Sequence, residues 1–114
     1  MNNRNKVQVI GNIVEDVTEK QAGKTTVANP KIAVNSSYVD KETSEIIQKT
    51  VYLEFTWWKP STLVKHLKKG ALVKFEGEIK NDIQVINGVN IHGIKLILKH
   101  IDILKFVDES TEKV

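Results

Sequence analysis

Thr50-Val51-Tyr52-Leu53-Glu54-Phe55-Thr56-Trp57-Trp58 alternates with a period of two, and that period assigns its faces. Successive side chains of a strand point to opposite sides, so Val51, Leu53, Phe55 and Trp57 are expected in a core, and Tyr52, Glu54, Thr56 and Trp58 on the other face. Two large rings then stand outside the core, with Lys49 and Lys59 at either end of the segment. Flat apolar surface beside positive charge is what stacking of unpaired bases requires. The same rings could equally be covered by a second sheet or another subunit, because aromatics also mark cores and interfaces.

Working outward, the 114 residues suit one domain of moderate core size, and a second domain does not fit. With no cysteine there is neither a disulfide framework nor a thiolate metal site, so stability rests on apolar burial and hydrogen bonding. No apolar run approaches the roughly 20 residues of a membrane span, and Met1-Asn2-Asn3-Arg4 lacks the apolar core of a secretory signal. A soluble, cytoplasmic protein without a membrane partner is the expectation. Net charge is +3, but residues 1–106 hold sixteen Lys and Arg against eleven Asp and Glu, a net +5, while 107–114 carry a net −2. A basic folded part favours a polyanionic partner through counterion release and steering, although lysine-rich surfaces are also common for solubility alone.

The first strand is read over Asn5–Val14, interrupted at Gly11, and residues 15–26 as a polar loop. The second strand is Val27–Tyr38, in which Pro30 cannot donate to a ladder and so demands an edge or a bulge. Asp40–Glu45 is a polar tip, and residues 46–58 form the third strand. A short helix over Pro60–Gly70 carries its own punctuation: Ser61 to cap the start, Lys68 and Lys69 at the negative end, and Gly70 for the left-handed terminus. Its apolar side is only Leu63, Val64 and Leu67, which suits a plug rather than a core. Leu72–Lys80 is the fourth strand, Asn87-Gly88 a hairpin tip because both residues tolerate positive φ, and Val89–Phe106 the fifth strand or pair of strands. Val107–Val114 reads as a short polar tail, so the domain is drawn over residues 1–106. An all-β, five-stranded Greek-key barrel with one short helix between strands three and four is the OB-fold, whose binding face lies around strands two and three.

Asn5-Lys6-Val7, Ile10-Gly11-Asn12, Val27-Ala28-Asn29, Tyr38 with Asp40-Lys41, Thr50, Leu67-Lys68-Lys69-Gly70 and Phe75-Glu76-Gly77 fall in an order and spacing that resembles the bacterial single-stranded DNA-binding protein family. The resemblance implies non-catalytic, largely sequence-independent binding of single-stranded DNA in replication, recombination or repair, with no cofactor. It also implies a homotetramer, or a dimer if Pro30 or the altered loops block the second interface. Tyr38, Tyr52 and Trp58 match the family's stacking rings, and Lys41, Lys68, Lys69 and Lys80 its basic track. Lys31 and Lys59 would extend that track, and Arg4 lies near the N-terminal basic position.

Three features depart from the family pattern. Glu54 and Asp82 replace basic positions, the 81–90 hairpin has Ile83 and Gln84 where an aromatic is usual, and the chain ends at Val114 without the long linker and acidic tip that recruit replication or recombination partners. The last feature implies a short form, such as one from a virus or mobile element acting in a host cytoplasm, or a primosomal accessory protein whose aromatic face is mainly a protein interface. His66, His92 and His100 are too scattered for a metal site, and Glu76 and Glu78 read as outward strand residues. No nucleophile elbow or phosphate loop is present, so an enzyme is not expected.

Overall fold

The computed structural model describes residues 4–107. The expected tail beyond Val107 lies outside them. Seven strands run in chain order: β1 (Val7–Ile13), β2 (Glu19–Ala22), β3 (Thr25–Ala28), β4 (Lys31–Val39), β5 (Ile46–Trp58), β6 (Leu72–Ile86) and β7 (Val89–Lys105). Antiparallel neighbours follow the order β5-β4-β1-β6-β7, and a short parallel pairing, Phe55 with Leu96 and Thr56 with Ile97, returns β7 to β5 and closes a five-stranded barrel. This is the expected OB-fold.

Phe55 and Phe75 meet edge to face at 5.2 Å in the centre of the barrel, surrounded by Ile13, Ile32, Val73, Leu98 and Ile101. Leu67 and Ala71 close one end. The segment that carries Leu67 is not the helix read over Pro60–Gly70. It is a single 3₁₀ turn, Thr62–His66, started by the Ser61 hydroxyl, which accepts from the Leu63 N–H. Of its three apolar residues only Leu67 is fully buried. A longer helix would have had no second face to bury, so the chain is instead pinned by backbone bonds: Gly70 N–H to Ile13 O, Ile13 N–H to Ala71 O and Val17 N–H to Leu67 O. Gly70 is left-handed at φ +96°, as its position after the turn requires. Val107, assigned to the tail, packs against the core.

The polar loop expected at 15–26 contains a hairpin instead: β2 pairs with β3 around Gly23-Lys24, and β3 continues onto β5 through Val27–Trp58 and Ala28–Trp57. Strand two is thereby split at Asn29-Pro30, with neither the edge nor the bulge that Pro30 was expected to need. The register on β5 is unshifted, Ala28 opposite Trp57 before the break and Lys31 opposite Glu54 after it. Pro30 still accepts from the Phe55 N–H, and the Asn29 side-chain amide reaches the Phe55 carbonyl at 3.5 Å, standing in for the N–H that proline lacks.

Gly11 and Gly77 sit where two backbones nearly touch: a Cβ on Gly11 would collide with the Ala33 carbonyl, and one on Gly77 with the Ile97 carbonyl. A register shift between Glu76 and Gly77 accompanies the second contact, so both glycines serve barrel curvature. Two ribbons project from the barrel, β4–β5 and β6–β7. The second is longer than read, because β6 continues past Lys80 to the Asn87-Gly88 turn, where φ is +52° and +79°.

Candidate nucleic-acid interface

Alternation along β5 holds as read, with one exception. Phe55 is fully buried, Leu53 and Trp57 are half-buried against the core, and Tyr52 and Trp58 are 72% and 46% exposed. Val51, assigned to the core, is exposed, because β5 has left the barrel at that point and pairs only with Val34 on the ribbon. Tyr52 and Trp58 share the outer face and, at the rise of an extended strand, lie about 20 Å apart. The floor between them holds Glu54 and Thr56. Thr50, on the same face, donates to Asn35 Oδ1 across the ribbon.

Tyr38 stands differently. Its register partner is Ile47, which shares a face with Val51 and Leu53, so Tyr38 and Tyr52 point to opposite faces of the β4–β5 ribbon. A strand touching both must pass over the ribbon edge near its tip. That tip is rigidly built: Asp40 N–H donates to Glu45 O, Ser44 N–H to Asp40 O, and Asp40 Oδ1 accepts from the Glu42 N–H. Lys41 projects from it, exposed.

The lysines fall into two groups. Lys31 lies between Glu15 and Glu54, at 3.6 and 3.7 Å, Lys68 lies 3.9 Å from Asp16, and Lys80 lies 3.7 Å from Glu78. Among the described residues, Lys41, Lys59 and Lys69 have no carboxylate within ion-pair distance. Lys59 follows Trp58 directly in a left-handed conformation, φ +51°, with its N–H bonded to Thr26 O. Lys68 and Lys69 sit by the 3₁₀ turn, where Asp16 also accepts from the Lys69 N–H. Arg4 is exposed just ahead of β1, near Asn5, whose side-chain amide exchanges two hydrogen bonds with the Ile79 backbone.

Sequence reasoning missed a groove. Between β5 and β7 an open trough of about 470 Å³ is walled by Tyr52, Glu54 and Thr56 on one side and by Asp82, Ile94 and Lys95 on the other. Lys95 was not singled out, yet the Asn87-Gly88 turn fixes its place: a two-residue turn sets the register of both strands, and Lys80 pairs with Lys95. The outer groove beside Tyr52 therefore has both signs of charge.

A closed five-stranded barrel with exposed rings on the outer face of its third barrel strand defines an OB-fold protein. The chain matches the single-strand binding protein family over residues 4–104, and it belongs to that family. Among solved structures it resembles the SSB of Plasmodium falciparum in complex with ssDNA, at 25% identity and a TM-score of 0.72, over 95% of this chain and 100% of that one. It also resembles a deletion mutant of the single-stranded DNA binding protein from Thermus aquaticus, at 16% identity and 0.78, over 90% and 51% of the two chains. A third is the small single-stranded DNA-binding protein from Streptomyces coelicolor, at 16% and 0.65, over 96% and 98%. The last two likenesses speak to the fold. No curated protein sequence matches. No helix among the described residues is long and apolar enough to cross a membrane.

Proposed function

We propose that this protein binds single-stranded DNA without catalysis, stacking bases on Tyr52 and Trp58, with Tyr38 engaging a strand that rounds the ribbon tip. The observation that carries this is the pair of exposed rings on the outer face of β5. Family membership supports it, as does the ssDNA in the Plasmodium relative. Every base has a π face, so stacking is tolerant of sequence, and each ring contributes about 1–3 kcal/mol. Lys41, Lys59 and Lys69 meet phosphates directly, Lys68 and Lys80 must first exchange a carboxylate, and Lys31 stays engaged between Glu15 and Glu54. Replication, recombination and repair are the processes such binding serves.

Self-association belongs to this reading. Residues 7–10 of β1 pair with β6, while only Asn12 and Ile13 pair with β4, so the leading half of β1 offers a free edge to a second copy. Light scattering distinguishes dimer from tetramer. The competing reading is an assembly protein whose aromatic face is mainly a protein interface, and the carboxylate of Glu54 in the middle of that face favours it. One titration separates the two: a mixed-sequence oligonucleotide of roughly 35 nucleotides, enough for several barrels, is added at two salt concentrations while tryptophan emission is followed. Salt-sensitive quenching that is largely lost in Trp58→Ala supports DNA binding. Emission indifferent to the oligonucleotide, with no mobility shift at low salt, sinks it.

A further inference from the structure

Glu54 sits in the middle of the proposed binding face, where a carboxylate repels phosphate. Its surroundings show what it suits instead. Oε2 lies 3.7 Å from the Lys31 ammonium, directly across the ribbon, and Lys31 is steadied from behind by Glu15. The Glu54 carboxylate accepts no hydrogen bond from any described residue, and its side chain is 53% exposed. It lines, together with Tyr52, the most exposed ring of the face, the groove whose far wall carries Asp82.

We infer that Glu54 is a specificity-determining residue, which makes the Tyr52 groove favour a base with an exocyclic amino group on its Watson–Crick edge, such as cytosine, over thymine or uracil. This rests on the single-stranded DNA reading above. A neutral base stacked on Tyr52 enters the groove without the repulsion that a phosphate meets. Its edge then faces an oxygen that can only accept. Cytosine N4 donates to such an oxygen, whereas the O4 of thymine or uracil sets acceptor against acceptor. Lys95, the cation of the groove, can reach a phosphate or the O2 carbonyl, but cytosine and uracil share both, so it does not discriminate between them. Lys31 acts as a positioning residue for Glu54, not as a phosphate contact. Elsewhere on the face stacking remains indifferent to sequence.

The test compares oligo-dC with oligo-dU of equal length at pH 8, where cytosine is unprotonated, by tryptophan quenching and fluorescence anisotropy. The two differ only at the C4 edge and N3. The wild-type protein is expected to prefer dC by about fivefold, the low end for one base contact in a solvated groove. Glu54→Gln, whose amide both donates and accepts, is expected to bring the ratio close to one, chiefly by tightening dU. Lys31→Met is expected to lower the ratio without abolishing binding. Equal affinity of the wild-type protein for dC and dU overturns the inference and leaves DNA binding intact. A dC preference that survives in Glu54→Gln overturns the assignment to Glu54. Failure to bind either oligonucleotide overturns the binding reading, and this inference with it.

Discussion

The β4–β5 and β6–β7 ribbons leave the same barrel by the same antiparallel pairing, and both expose branched aliphatics, yet one carries rings and the other does not. The first presents Tyr38 and Tyr52 among exposed Val39, Ile46 and Val51, with Lys41 at its tip and Trp58 at its root. The second presents Ile83, Val85, Ile86, Val89, Ile91 and Ile94, all exposed, and from Glu78 to Lys105 contains no Phe, Tyr or Trp. Branched aliphatic side chains pack well against another protein surface but give a base no flat platform. The first ribbon therefore offers flat platforms that the second lacks.

The comparison can be broken at its root first. Phe55→Ala removes the ring at the centre of the barrel on which both ribbons depend, and about 3–5 kcal/mol of stability is expected to go with it, read from chemical denaturation. Next comes the contrast between ribbons. Tyr52→Ala and Trp58→Ala are each expected to weaken oligonucleotide binding by about 1–3 kcal/mol, whereas Ile83→Ala and Val85→Ala leave it nearly unchanged; comparable losses on both would erase the distinction. Within the first ribbon, Lys41→Ala should reduce the slope of log affinity against log salt by about 0.7, the value for one phosphate of a single strand. Lys31→Ala should move that slope less, since its charge is already met by Glu15 and Glu54. The smallest effect concerns the aliphatic surface: Ile91→Lys should shift unfolding stability by no more than about 0.5 kcal/mol, and should leave the oligomeric state read by light scattering unchanged, since the free edge belongs to β1.

How much of this was legible along the chain depended on whether the deciding contacts were local. Thr50–Trp58 declared its faces because one of them is buried by the barrel, and Asn87-Gly88 declared its turn because positive φ favours those residues. The β2–β3 hairpin stayed hidden because Glu19-Lys20-Gln21 bury nothing, which leaves no apolar period to read; the Gly23-Lys24 turn was its one mark. The helix was over-read because Leu63, Val64 and Leu67 have helical spacing, although only Leu67 found a cavity to fill. Of the candidate site, exposure of Tyr52 and Trp58 was readable. The groove was not, since it joins residues 52–56 to 82–96 through barrel closure, and the opposite orientations of Tyr38 and Tyr52 appear only once the ribbon register is counted.

Barrel closure is also a thin part of the fabric, two residue pairs long like the β1–β4 junction. Among the described residues Phe55–Leu96 and Thr56–Ile97 pair β5 with β7, while the β4–β5 and β6–β7 pairings run far longer. Such a seam is where a barrel breathes, and its amide protons should be among the first of the β5 and β7 barrel segments to exchange with heavy water. Tyr52 and Lys95 flank it from either side. A strand lying across them acts as a stitch, so occupancy of the groove should be recorded as slowed exchange at Phe55–Thr56 and Leu96–Ile97, far from any atom the ligand touches at the ribbon tips.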